Sequence, residues 1–183
     1  MTVEEFYAFT DTRPENEKWE LIEGEPVLQA SPSRPHQRIL LNVAAYLRRQ
    51  AVDRPRGWEV LPGLGVRVSD TNRPEPDVLV LPVTAPSETS AAHDCDDVIV
   101  AFEIVSPSTA DRDLRWKRNA YTSMPSLTHY VVIAQDAVDV VVFARENGFA
   151  EQRLRSLAEA IAFPALGVTL PLAEIHRGIG LAD

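Results

Sequence analysis

The stretch VIVAFEIV, residues 98–105, decides the fold class of this chain. Its apolar side chains are consecutive rather than alternating, which predicts a β-strand that is covered on both faces. Glu103 interrupts this run, and an unpaired carboxylate in such a strand is costly to bury. We therefore expect Glu103 to meet a cation, a metal ion or a proton. The alternative is an acid at the strand's end that points into solvent at the sheet edge.

Helical and strand patterns alternate along the rest of the chain. Apolar residues spaced by three and four predict helices, and short apolar runs bounded by Pro, Gly, Asn or Asp predict strands. This order predicts one mixed α/β (α+β) domain over 1–183, with a central sheet flanked by helices and an N-terminal β-hairpin. The predicted helices are 2–12, 36–50, about 109–123 and 171–177; the predicted strands are 58–61, 65–68, 77–81, 98–105, 128–134, 138–144, 149–155, 160–163 and 168–170, with the hairpin at 19–29 and a polar loop at 84–96.

Asp77 opens a second apolar strand, directly after Pro76. Taken alone, it is better interpreted as a turn residue. Together with Glu103 it is better interpreted as part of a metal site, because two short strands that each carry one acid can hold two carboxylates side by side. Paired carboxylates suit Mg²⁺ or Mn²⁺, which prefer oxygen ligands and keep several waters.

Lys117 is the candidate third member of this group. It lies about two turns into the helix that follows the Glu103 strand. Asp113, Lys117 and Tyr121 are spaced by four residues, so they share one stripe of that helix. Because the connection from strand to helix is short, the helix should pack back on the sheet and bring Lys117 towards Glu103. The alternative is a solvated face with an ordinary Asp–Lys pair.

The N-terminal segments offer secondary candidates. The hairpin carries Glu20, Glu23 and Glu25, and one of these acids could complete a metal site. Alternation puts Glu23 and Glu25 on one face if the strand is unbroken; an exposed hairpin is the alternative. His36 opens the long helix, where it could contact a phosphate or a water, or be structural.

Composition limits the classes of protein. A net charge of −9 argues against a protein that coats nucleic acid, although it allows an enzyme with an acidic metal site. The single cysteine excludes an intramolecular disulfide and fits a reducing compartment. The acidic N-terminus is not typical of a signal peptide, and no apolar run is long enough for a membrane span. We expect a cytoplasmic protein.

Several motifs, taken in order, resemble the Uma-two type endonucleases, a branch of the PD-(D/E)XK nuclease superfamily. The resemblance covers about residues 19–175 and implies a restriction-endonuclease-like fold. It also implies a divalent metal ion held by Asp77, Glu103 and the Ile104 carbonyl. The superfamily pattern has a lysine two residues after the acid, where this chain has Val105; the resemblance implies that Lys117 supplies it from the next helix. The matching segments are WELIEGE (19–25), SPS (31–33) with His36, EPDV (75–78), FEIVSPST (102–109) followed by Asp113, Lys117 and Tyr121, and MPSLTHY (124–130).

Together with the candidate metal site, the resemblance implies a Mg²⁺- or Mn²⁺-dependent endonuclease that hydrolyses DNA, with Asp77, Glu103 and Lys117 as catalytic residues. A double-strand cutter needs two active sites, so a homodimer is an open expectation. The alternative is a catalytically inactive module of the same fold that binds nucleic acid or a protein partner, which Val105 and the acidic charge motivate. A further alternative is a metal-dependent hydrolase of a small phosphorylated substrate.

Overall fold

The computed structural model describes residues 1–52, 57–83, 94–106 and 110–180, without the side chains of 52 and 110–114. Four helices and a single 3-10 turn, Arg145–Asn147, accompany twelve strands within these ranges. The helices are α1 (Val3–Thr10), α2 (Arg34–Val52), α3 (Ala110–Thr122) and α4 (Leu172–Ile175). The strands are β1 (Trp19–Ile22), β2 (Glu25–Leu28), β3 (Trp58–Pro62), β4 (Gly65–Val66), β5 (Val78–Pro82), β6 (Asp94–Cys95), β7 (Val100–Val105), β8 (His129–Ala134), β9 (Val140–Ala144), β10 (Glu151–Leu154), β11 (Ala160–Phe163) and β12 (Val168–Pro171).

Six strands form the central mixed sheet, in the order β10-β9-β8-β7-β5-β3. Only β7 and β8 are parallel among these pairs; the other neighbours are antiparallel. A parallel pair needs a crossover connection, and the chain from β7 to β8 contains α3. This topology confirms the expected central mixed sheet flanked by helices, and it puts β7 in the interior of the sheet.

The two faces of the sheet bury separate apolar layers. On one face, Phe102 and Ile104 of β7 join Ile39, Val43 and Leu47 of α2. On the other face, Ala101 joins Tyr121 of α3 and the residues that follow it, Met124 and Leu127. Because side chains alternate along a strand, Glu103 points to the α3 side of the sheet.

The predicted N-terminal hairpin forms from β1 and β2, and it lies outside the central sheet. Leu21 exchanges backbone hydrogen bonds with Arg73, which anchors the hairpin to the segment that leads into β5. Helix α1 packs Val3 and Phe6 against the same leucine. The hairpin is therefore held beside the entrance to β5, where Asp77 lies.

Two local differences from the sequence patterns have simple causes. Residues Asp94–Cys95, expected to be part of a polar loop, form a strand parallel to Gly65–Val66; two residues are too few to show a period. Helix α2 begins at Arg34 rather than His36, because Ser33 caps it and Pro35 is tolerated in a first turn.

Over the described part of the chain, none of the helices combines the length and apolar character that crossing a bilayer requires.

Candidate functional site

Asp77 and Glu103 face each other across neighbouring strands. Strands β5 and β7 pair with Val78 opposite Phe102, so the next step of the antiparallel register sets Asp77 opposite Glu103. The Asp77 Oδ2 accepts a hydrogen bond of 2.7 Å from the Ile104 N–H. Glu103 is only 7% exposed, which excludes an acid that points into solvent at the sheet edge. The two acids named from the sequence thus lie side by side.

Lys117 reaches this pair from α3. Its Nζ donates to Glu103 Oε1 at 3.0 Å and to Glu20 Oε1 at 2.8 Å. The Tyr121 hydroxyl, one turn further along, donates to the same Glu103 oxygen at 3.1 Å. Val105 lies two residues after Glu103 and so on the same side of β7. The Lys117 ammonium therefore lies on the same side of the sheet as Val105, whose own side chain is apolar.

Glu20, rather than Glu23 or Glu25, is the hairpin acid that joins the cluster. Glu20 is 1% exposed, and its Oε1 also accepts from the Glu75 N–H at 2.7 Å. Glu23 and Glu25 are exposed and do not line the cavity that the other acids share. The reason is the turn: Glu23 adopts a positive φ of 51° and breaks the alternation that would have aligned the two acids.

His36 contacts Asp77 from the first turn of α2. Its Nε2 lies 3.0 Å from Asp77 Oδ1, and its side chain is 16% exposed. The sequence suggested a phosphate or a water as its partner, whereas the structure brings it to a carboxylate. Asp113, the remaining secondary candidate, belongs to α3, but its side chain lies outside the described residues.

The cluster lines an open cavity of about 770 Å³ between the hairpin, the start of α2 and the ends of β5 and β7. Apolar side chains of the hairpin and of α2, such as Val27 and Leu40, share the lining with these charged groups. The cavity gives solvent and small groups a route to carboxylates that are otherwise buried. Its polar lining includes Glu20, His36, Asp77, Glu103, Lys117 and Gln135.

Burial and crowding shift the pKa values of the cluster. Burial raises the pKa of Glu103 far above its usual range; Lys117 opposes the shift, and Asp77 and Glu20 add to it. Burial alone would lower the pKa of Lys117, but Glu103 and Glu20 outweigh it and raise that pKa. Burial, and then the charge of Glu103, raises the pKa of Tyr121, which stays a hydrogen-bond donor. Lys117 is accordingly a fixed ammonium and not a proton acceptor.

The donor chemistry of the cavity fits a hard divalent cation. Lys117 contacts Glu20 and Glu103, and Asp77 lies opposite Glu103, so three acidic groups share one ammonium, which favours a further cation. Among the side chains that the structure describes, no three His, Cys, Asp or Glu groups are arranged to hold a metal ion by themselves. Mg²⁺ does not need such a cage, because it binds through one or two carboxylates and keeps several waters.

The family follows from a match over nearly the whole chain. Residues 3–173 match the model of the Uma2 family, described as "Putative restriction endonuclease". The chain belongs to the Uma2 family. This membership confirms the resemblance that the sequence motifs indicated. No curated protein matches the chain.

A solved structure shares the fold. It is described as "a putative nuclease belonging to DUF820" from Anabaena variabilis, and it superposes with a TM-score of 0.78 over 96% of this chain and 97% of that one. At 15% sequence identity the likeness concerns the fold, and it confirms the expected fold class. Membership of the Uma2 family together with a nuclease fold supports a nuclease role for this chain.

Proposed function

We propose that this protein is a divalent-metal-dependent endonuclease that hydrolyses phosphodiester bonds in DNA. The observation that carries the proposal is the 3.0 Å contact of Lys117 Nζ with Glu103 Oε1, beside Asp77 and within an open cavity. It supplies the lysine that the nuclease superfamily carries two residues after the acid, where this chain has Val105. Two acids and a lysine that line one cavity are the groups that such hydrolysis needs.

Each group has a distinct role in this proposal. Asp77 and Glu103 would hold Mg²⁺ or Mn²⁺, and the Ile104 carbonyl would be a further oxygen ligand. A bound ion of this kind lowers the pKa of a water and offsets charge on the phosphate. Lys117, fixed between Glu20 and Glu103, donates hydrogen bonds to the developing negative charge. Tyr121 and Glu20 hold Glu103 and Lys117 in place.

The test is cleavage of supercoiled DNA in Mg²⁺ or Mn²⁺ by the wild type, Asp77→Ala and Glu103→Ala. Both variants should lose metal-dependent cleavage, by roughly 100-fold or more, while circular dichroism shows that they remain folded. Glu25→Gln is the matched control, because it changes an exposed hairpin acid outside the cavity, and it should cut like the wild type. Full activity in both alanine variants would remove the assignment.

A second candidate is a non-catalytic nucleic-acid-binding or protein-binding module, which Val105 at the usual lysine position favours. It predicts binding to DNA that EDTA leaves unchanged, with no cleavage in any divalent ion. The endonuclease proposal instead expects weak binding without metal, because the chain carries a net charge of −9. We also propose a homodimer for cutting both strands; sedimentation at the concentration used for cleavage tests it.

A further inference from the structure

His36 is held in place by the way in which α2 begins. Ser33 Oγ accepts from the His36 backbone N–H at 3.2 Å and donates to Gln135 Oε1, just beyond β8, at 2.6 Å. Further along α2, Ile39 and Val43 are fully buried against the sheet. The imidazole is therefore presented by a docked helix and not by a loop, so its approach to Asp77 is set by the fold.

Each oxygen of the Asp77 carboxylate contacts a nitrogen of another element. The His36 Nε2 lies 3.0 Å from Oδ1, and the Ile104 N–H donates to Oδ2 at 2.7 Å. These donors belong to different elements, α2 and β7, so together they set both the position and the plane of the carboxylate. A carboxylate oxygen can accept two hydrogen bonds, so each oxygen keeps one lone pair for a further partner.

Asp77 is the polar group that the His36 ring contacts through Nε2. The other ring nitrogen, Nδ1, is buried and has no hydrogen-bond partner among the described residues. A carboxylate can only accept hydrogen bonds, so Nε2 is the ring nitrogen that can donate to Asp77.

Asp77 needs such a donor because its neighbour across the strands is another acid. Like charges placed directly opposite each other on a sheet are destabilising. The Asp77 side chain is 20% exposed and has room to turn towards solvent. The 3.0 Å contact with His36 opposes that rotation and keeps the carboxylate beside Glu103.

We propose that His36 is a positioning residue that fixes the Asp77 carboxylate for the divalent ion. This inference rests on the proposed function, since it assigns His36 a role in the same metal site. Removing a hydrogen-bond partner of a metal-ligating group typically weakens metal binding by about 10–100-fold. His36 should therefore act through the affinity of the site for metal and not through the chemical step.

Isothermal titration of Mn²⁺ into the purified full chain tests this role without any need for activity. His36→Ala should weaken Mn²⁺ binding by about 10–100-fold. His36→Gln, whose side-chain amide can donate in place of Nε2, should stay within about threefold of the wild type. Gln37→Ala is the matched control, since Gln37 lines the same cavity in the same helical turn, and it should bind Mn²⁺ normally.

Cleavage assays add a second readout. The rate of His36→Ala should approach the wild-type rate at saturating Mn²⁺, with the half-maximal Mn²⁺ concentration raised in step with the binding constant. Three results would each overturn the positioning role alone. In the first, the cleavage rate of His36→Ala stays low at saturating Mn²⁺. In the others, His36→Ala binds Mn²⁺ as tightly as the wild type, or His36→Gln binds it as weakly as His36→Ala. A wild type that binds no Mn²⁺ would overturn both the metal-dependent function and this inference.

Discussion

Tyr121 shows how a single hydroxyl supports the candidate site. The phenol donates to Glu103, while its ring packs against Tyr130 with centroids 5.1 Å apart. Tyr121→Phe keeps the ring contact and removes one hydrogen bond to a buried carboxylate. We expect it to lower the free energy of unfolding by about 1–3 kcal/mol in urea denaturation.

Tyr46→Phe is the control for that change. Tyr46 also donates through its hydroxyl, to the Thr169 carbonyl, but in an exposed position where water can replace the partner. Its loss should therefore be about 1 kcal/mol or less. Equal losses in the two variants would mean that the bond from Tyr121 to Glu103 stabilises the fold no more than the exposed bond of Tyr46 does.

The acids of the site differ in how far the sequence could identify them. Glu103 was predictable, because an acid inside an apolar strand has to be paired. Among the three hairpin acids, alternation favoured Glu23 and Glu25 over Glu20, whose burial depends on the anchoring of Leu21 to Arg73. A hairpin register decides which side chains face inward only after the hairpin is docked.

At the scale of elements, α2 depends on both a cap and a docked face. Ser33 satisfies one backbone N–H at the start of α2. Ile39, Val43 and Leu47 are fully buried, and each contributes about 1.5–3 kcal/mol. The docked face outweighs the cap, so the helix should survive the loss of Ser33.

Ser33→Ala should therefore lower the free energy of unfolding by about 1 kcal/mol, with the helical circular dichroism signal retained. Ser31→Ala, an exposed serine of the same loop, is the matched control and should change stability by less than about 0.5 kcal/mol. If both variants match the wild type in urea denaturation, Ser33 does not act as a cap.

At the scale of the whole molecule, buried histidines link stability to pH. Burial lowers the pKa of His176 and of His129 below the usual value of 6.5, and neither ring nitrogen of His176 has a hydrogen-bond partner among the described residues. The unfolded chain then binds a proton that the folded chain does not, once the pH falls below 6.5. These histidines therefore reduce stability as the pH falls.

His176→Leu removes one of these protons from the unfolded state. Between about pH 7.5 and 5.5, the wild type should lose more free energy of unfolding than this variant does, as measured by urea denaturation at each pH. The comparison between the two proteins cancels the titration of the carboxylates that they share. Parallel pH profiles would show that His176 is protonated equally in both states.

Periodicity in the sequence was enough to predict the order of the longer helices and strands, and the cost of burying charge was enough to single out Glu103; both are local properties of the chain. Asp77 was identified through its pairing with Glu103, and the family through the resemblance of several motifs taken in order. The tertiary structure alone decided that Glu20 rather than Glu23 or Glu25 reaches Lys117, and that His36 reaches Asp77. Those contacts join residues 97 and 41 positions apart, and only packing of the hairpin, α2 and α3 on the sheet brings them together.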